Sequence, residues 1–223
     1  MTIMDAVKAR HSVRSYKAVP IGQEIIAKLQ GEINACNKES GLHIQLVTQE
    51  PRAFDGFMAH YGKFSGVQNY IALVGRKSSD LEEKIGYYGE RVALLAQNLG
   101  LNTCWVAMTM SKGVVKKNCT IGSGEKLVAV LSLGYGESQG FAHKSKPMDD
   151  LCTVQGKMPQ WFRNGMEAAL LAPTAMNQQK FKFTFDGSNV DAISLGGFCS
   201  KIDLGIVKYH FEIGAGKENF TWK

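Results

Sequence analysis

Ala6-Val7-Lys8-Ala9-Arg10-His11-Ser12-Val13-Arg14-Ser15-Tyr16 joins the end of one pattern to the start of another. Upstream, Ile3, Ala6 and Val7 fall at helical spacing behind Thr2, a capping residue, which predicts a helix over residues 2–10. From His11 the helical pattern stops, and His11 to Tyr16 reads as an extended loop. Arg10 and Arg14 stand four apart with Ser12 between them. On a helix they would form a solvated face, the commoner fate of arginine. In an extended segment, alternation puts Arg10, Ser12 and Arg14 on one side. Guanidinium forks there suit phosphate and carbonyl oxygens. Both readings stand at this point.

Outward from that stretch, helices and strands interleave. Pro20 opens a second helix whose stripe is Ile25, Ile26, Leu29 and Ile33, and Lys38 to Gly41 is a polar break. His43 to Val47 alternates like a half-buried strand, and residues 51–62 read as a short helix. Tyr70 to Val74 is continuously apolar, as a central strand is. Residues 80–99 form the longest helical stretch, ended by Gly100. Thr103 to Met108 reads as a strand or buried loop, Lys126 to Leu133 as a strand, and Gly134 to Pro147 as a loop. Pro159 opens a helix to about Leu171, and Phe181, Phe183 and Phe185 mark a clear strand. The tail reads as strands at Val190–Leu195 and Tyr209–Ile213 around a short helix at 200–207. Residues 24–47 and 163–185 share a plan of apolar helix, polar loop and alternating strand, which is either a common motif recurring by chance or a degenerate internal duplication.

Composition narrows the function classes. The chain's 223 residues suffice for one domain or two small fused halves. With 44% hydrophobic and 21% charged residues, it is too apolar for a disordered protein. No window reaches the roughly 20 apolar residues of a membrane span. The start, Met1-Thr2-Ile3-Met4-Asp5, lacks the basic and apolar runs of a signal peptide, so a cytoplasmic location is expected. Cys36, Cys104, Cys119, Cys152 and Cys199 are scattered and odd in number, which argues against a disulfide framework or a zinc site. A net charge of +6 favours anionic ligands. The lysines are dispersed, whereas a nucleic-acid reader concentrates its charge, so no nucleic-acid partner is expected. No GxGxxG or GxxxxGK[ST] segment occurs: Gly122-Ser123-Gly124 lacks the third glycine, and Gly134-Tyr135-Gly136 precedes a loop.

Four segments carry a resemblance. Ala6 to Tyr16 is similar to the N-terminal signature of the FMN-dependent nitroreductase family. Ala172-Pro173-Thr174-Ala175-Met176-Asn177-Gln178-Gln179 resembles the family's Ala-Pro-Ser-x-x-Asn-x-Gln segment, with Thr174 in place of serine. Leu99 to Val106, including Cys104, Trp105 and Val106, resembles the segment whose backbone amides approach the flavin N5 and O4. Here Ala107 and Met108 stand where the family usually has glycine. Gly134-Tyr135-Gly136 followed by His143-Lys144-Ser145-Lys146-Pro147 resembles the family's Gly-Tyr strand end and basic-x-basic phosphate grip.

The resemblance implies an α+β fold, a nitroreductase-like α-β-α sandwich with a mainly antiparallel central sheet. It implies FMN held by Arg10, His11, Ser12, Arg14, Lys144 and Lys146, by the backbone at Cys104, Trp105 and Val106, and by Pro173, Thr174 and Asn177. Lys63 is a further candidate for a flavin carbonyl, against the ordinary surface role of lysine. In the family the Pro-Ser segment follows soon after the arginine motif and serves the other subunit of a homodimer. Here that position holds Ala35-Cys36-Asn37-Lys38, and the good match lies near the C-terminus. The order implies two pseudo-symmetric halves in one chain, residues 1–155 and a shorter 156–223 that completes a single FMN site. A homodimer is the other arrangement. The implied activity is transfer of reducing equivalents from NADH or NADPH through FMN to a small-molecule substrate such as a nitro compound or quinone, in ping-pong fashion, with no side chain needed as acid or base. A flavin carrier or sensor without turnover is the alternative.

Overall fold

In the computed structural model, which describes residues 1–223, the first helix begins at a reciprocal cap. The Asp5 N–H donates to Thr2 Oγ1 at 3.1 Å, and the Thr2 N–H donates to the Asp5 carboxylate at 2.9 Å. This helix, α1 (Ile3–Ala9), ends where Arg10 turns extended, with φ −71° and ψ 114°. The extended course continues along β3 (Asn102–Val106), where the Val13 N–H donates to Thr103 O at 3.1 Å and Ser12 bridges Thr103 in parallel. Tyr16 fastens the segment, its hydroxyl lying 2.7 Å from both Val13 O and Ser132 Oγ.

Helix α2 (Gln23–Ser40) runs through the expected polar break, because its stop is Gly41 in the left-handed region at φ 71°. Strand β1 (Gln45–Val47) follows. The single helix expected at 51–62 is split into a 3₁₀ turn (Pro51–Phe54) and α3 (Phe57–Tyr61), with Gly56 extended between them. Next come β2 (Asn69–Arg76) and α4 (Leu81–Asn98), close to the sequence reading. After β3, α5 (Lys112–Asn118) was not foreseen. Strand β4 (Glu125–Gly134) was, and α6 (Met148–Leu151) and β5 (Cys152–Val154) again were not. Helix α7 (Gln160–Ala169), β6 (Phe181–Phe185) and β7 (Val190–Ser194) match their expected places.

One element is corrected. The strand expected at Tyr209–Ile213 is the second half of a single helix, α8 (Ser200–Ala215). His210, Phe211 and Glu212 are consecutive and all buried, as are Ile202 through Val207. A helix buried nearly all round carries no 3.6-residue stripe, and its aromatic and β-branched residues then read as strand.

The strands form two sheets, β1-β2-β4-β3, wholly antiparallel, and β5-β6-β7, in which β5 runs parallel to β6. Along β2, side chains alternate between two cores. Ile71 and Leu73 face α2 and α4, while Tyr70, Ala72 and Val74 face the N-terminal segment, the 3₁₀ turn and α5. The second sheet packs on α7 and α8 around Phe162, Phe183 and Phe211. This is an α-β-α arrangement whose two sheets meet across α4 and α8.

Those two helices cross at close range. A Cβ on Gly86 would lie 2.0 Å from Ile202 O, and one on Gly205 would lie 1.9 Å from Glu83 O. Each glycine thus sits on the carbonyl three residues before its counterpart, a reciprocity of two-fold form. The surrounding elements follow the same form. Helix α2, the antiparallel pair β1–β2 and α4 repeat as α7, the antiparallel pair β6–β7 and α8. No helix is long and apolar enough to cross a membrane.

Candidate functional site

A cavity of about 210 Å³ opens where four distant parts of the chain meet. The extended N-terminal segment brings Ser12 and Arg14. The end of β3 brings Cys104, Trp105 and Val106, continued by Ala107, Met108 and Thr109. The link from α7 to β6 brings Pro173 through Met176. The turn into α8 and its first two turns bring Phe198, Cys199, Ile202, Asp203 and Ile206. The first three groups come from segments singled out in the sequence. The α8 group was not: Ile202, Asp203 and Ile206 fall within the helix expected at 200–207, but no motif marks them.

The remaining candidate residues, Arg10, His11, Lys63, Lys144, Lys146 and Asn177, do not line this cavity. Arg10 is buried behind it. Its Nε is 3.3 Å from Glu90 Oε1, and the carboxylate of Glu90 also accepts from Trp105 Nε1 at 2.7 Å and pairs with His210 Nε2 at 3.0 Å. Burial alone would raise the Glu90 pKa. The His210 hydrogen bond and the Arg10 charge outweigh it and hold the carboxyl below its usual value. The network joins the end of α1 with β3, α4 and α8, so the N-terminal motif and α8 meet on one buried carboxylate. Nη1 of Arg10 is buried without a hydrogen-bond partner, and Nε meets only the Glu90 carboxylate. A guanidinium with donors to spare fits an anionic oxygen.

His11 borders a small recess with Arg10 and His143. Burial and the Arg10 charge hold the His11 imidazole below its usual pKa, so the recess favours its neutral form. The 143–147 segment is tied to the Asn177 segment through its backbone. Asn177 Nδ2 and Gln179 Nε2 donate to Lys144 O at 2.9 and 3.1 Å, and the Lys146 N–H donates to Gln179 Oε1 at 2.8 Å. Lys146 Nζ donates to the carbonyls of Gln178 and Gln179, while the Lys144 side chain is exposed. The structure thus brings Lys144, Lys146 and Asn177 together, outside the cavity lining. Lys63 is exposed beyond the end of α3 and does not line the cavity.

The link carrying Thr174 is a strained backbone. Met176, Asn177 and Gln179 all have positive φ, at 52°, 52° and 46°. Asp203 holds it: Oδ1 accepts from the Ala175 N–H at 2.9 Å and Oδ2 from Gln178 Nε2 at 2.7 Å. Thr174 Oγ1 accepts from the Gln179 N–H at 3.1 Å. Burial pushes the Asp203 carboxyl up to about 6 against the pull of these bonds. Burial also raises the thiols of Cys104 and of Cys199, the latter to about 11, so both are uncharged at neutral pH.

A family model described as "Putative TM nitroreductase" matches residues 2–215. Among solved structures, a Thermotoga maritima MSB8 protein of like description aligns with a TM-score of 0.68 at 21% identity, over 98% of this chain and 85% of that one. A Desulfovibrio desulfuricans protein, again so described and in complex with FMN, gives a TM-score of 0.56 at 14% identity, over 71% of this chain and 99% of its own. A Parabacteroides distasonis ATCC 8503 protein, described in the same terms as an NADH dehydrogenase/NAD(P)H nitroreductase, gives 0.53 at 20% identity, over 67% of this chain and 95% of its own. A search of curated proteins finds no match.

Proposed function

The chain belongs to the nitroreductase family, and on that premise we propose that it is an FMN-dependent oxidoreductase passing electrons from NADH or NADPH to small electrophiles such as nitro compounds or quinones. The observation that carries this reading is the convergence of Ser12, Arg14, the Cys104–Val106 strand end and Pro173–Thr174 on one cavity, from segments more than 60 residues apart in sequence.

Bound FMN supplies the two-electron chemistry at its ring, so the protein's tasks are binding, orientation and exclusion of water. Arg14 and Ser12 are the polar groups of the N-terminal side. Arg14 lies 5.9 Å from the Phe64 ring centroid, a contact that steadies a cation with few other partners. Arg10, paired through Nε with Glu90, would offer its unpartnered Nη1 to an anionic oxygen, with Lys144 as an exposed positive charge next to His143 of the small recess. Trp105 is fixed against α4 by its bond to Glu90, which positions the strand end that lines the cavity.

One site per chain is the arrangement we favour, with residues 1–155 and 156–223 acting as the two partners of a dimer would. Two observations support it. The helix–strand–strand–helix plan recurs around the reciprocal Gly86–Gly205 crossing. The Parabacteroides and Desulfovibrio structures also align over 95% and 99% of their own chains but only 67% and 71% of this one, as expected if one unit and part of another are fused. The mate of the cavity would lie at the matching turn of α4. That position carries Asp80 and Lys84 in an ion pair at 2.8 Å, and Glu83 paired with Lys208 at 2.7 Å, in place of an apolar lining.

An FMN titration of Arg14→Ala tests the reading. Loss of one charge-assisted hydrogen bond of about 1.5–3 kcal/mol weakens affinity roughly 10- to 100-fold. Unchanged affinity would remove Arg14 from the site.

A further inference from the structure

Helix α3 is inside out. Its one buried residue is Ala59, the smallest apolar side chain it carries, while Phe57 is 81% exposed, Tyr61 76% and Met58 44%. A surface helix ordinarily buries its large apolar residues and turns the others to water. Phe57 and Tyr61 stand four apart, so they project from the same side of the turn. The pose is held from below. The Phe64 N–H donates to Ala59 O at 3.0 Å, and the buried Phe54 and Phe64 rings lie 5.1 Å apart in the core that Ala59 joins. Single exposed apolar residues need no explanation, but a held cluster of them marks an interaction site.

The same side of the molecule is basic. The Ser111 N–H donates to Ala53 O at 2.8 Å, which seats α5 beside the 3₁₀ turn that precedes α3. The three elements cover one core through Phe54, Ala59 and Val115, so their outward side chains share one side. Helix α5 exposes Lys112, Lys116 and Lys117, and residues 111–120 include no acid. The chain's lysine ion pairs lie elsewhere. Across residues 51–62 the one acid is Asp55, and Arg52 is neutralised by Glu50 at 2.8 Å. The face therefore presents large apolar side chains beside uncompensated positive charge, which is complementary to an anionic surface that also accepts apolar groups.

We infer that this side of the molecule docks on an anionic lipid surface, with Phe57 and Tyr61 entering the boundary between headgroups and acyl chains and the α5 lysines meeting lipid phosphates. The chemistry matches that boundary: the phenylalanine is wholly apolar, the tyrosine keeps its hydroxyl wet, and lysines near an anionic leaflet each add attraction. This is attachment to a surface rather than a span. A protein partner fits less well. A stable interface buries about 800 Å² on each side, whereas the apolar part of this face is one helix of 5 residues. The docking face is separate from the cofactor cavity and stands whether or not the protein is an oxidoreductase.

The test is co-sedimentation of the full chain with vesicles of phosphatidylcholine alone and of phosphatidylcholine mixed with phosphatidylglycerol. The mixed vesicles are expected to bind about tenfold tighter than the neutral ones or better. Phe57→Ser combined with Tyr61→Ser is expected to weaken that binding about tenfold or more by removing the inserted apolar groups. Lys116→Ala combined with Lys117→Ala is expected to weaken it about 30-fold. All four side chains are exposed, and circular dichroism checks that each variant folds. Phe57→Trp supplies a reporter, whose emission is expected to shift to the blue on mixed vesicles and to be quenched by brominated acyl chains, relative to wild type. Absence of binding overturns the inference, as does equal binding to neutral vesicles or unchanged binding in the serine variant. Polyglutamate bound as tightly as the mixed vesicles, with no blue shift at position 57 on lipid, overturns it in favour of an acidic protein partner.

Discussion

Replacing Asp203 with asparagine is expected to change how stability depends on pH. The carboxyl titrates at about 6 in the folded protein against 3.8 for a free aspartate. That is a shift of about two units at about 1.36 kcal/mol each, or roughly 3 kcal/mol. Because the folded pKa is raised, the native state holds this proton more tightly than the unfolded chain does. The contribution is therefore fully present below about pH 4 and is lost as pH rises to about 6, leaving the wild type roughly 3 kcal/mol less stable at neutral pH on this account. Asparagine does not titrate. Its carbonyl can still accept from Ala175, but its amide then faces the Gln178 amide, and the lost bond costs about 1 kcal/mol. The variant is expected to be about 1 kcal/mol less stable than wild type near pH 4 and about 2 kcal/mol more stable near pH 7. Urea unfolding followed by tryptophan fluorescence at pH steps between those limits reads the difference directly. Parallel stability profiles for the two proteins would refute the burial of an ionised Asp203.

Arg10→Ala leaves Glu90 buried with His210 and Trp105 but without its guanidinium. Breaking one arm of a buried charge network costs about 3–5 kcal/mol, so chemical denaturation should show a large loss, and a loss under about 1 kcal/mol would mean that Arg10 is not part of that network. Gly205→Ala places a methyl 1.9 Å from Glu83 O, on backbone that cannot yield without separating α4 from α8; it is expected to cost about 3 kcal/mol or more. Gly31→Ala, in α2 with open space at its Cβ, is the control and is expected to stabilise by about 0.5–1 kcal/mol.

The N-terminal segment was legible because its chemistry is local. Alternation along an extended chain places Ser12 and Arg14 together, and both do line the cavity. Arg10 shows the limit of that reading. Alternation puts it on the same side, but the helix end turns it inward, toward a glutamate 80 residues away that no spacing reveals. Strand β2 was legible from its unbroken apolar run, since burial on both faces leaves that trace. The same double burial hid α8, whose Tyr209-His210-Phe211 run has no polar face to set a period. Asp203 was invisible for a related reason. Its role exists only once Gln178 and Ala175 are brought against it by the fold. Strand β5 has three residues and owes its existence to pairing with β6. The phosphate grip at Lys144 and Lys146 is implied by the family resemblance alone, and no spacing reveals that Lys146 Nζ also donates to two backbone carbonyls.

The most direct test of the central claim is the visible absorption spectrum of the purified protein after addition of excess FMN and desalting, recorded with the protein's mass in solution and followed by anaerobic NADH or NADPH. The expected result is one oxidised flavin retained per 24.5 kDa chain, bleached by the nicotinamide. Retained flavin that does not bleach with either donor would contradict the oxidoreductase function and point to a carrier or sensor. Two flavins per monomer would contradict the fused single site, and a colourless protein would contradict the functional reading altogether.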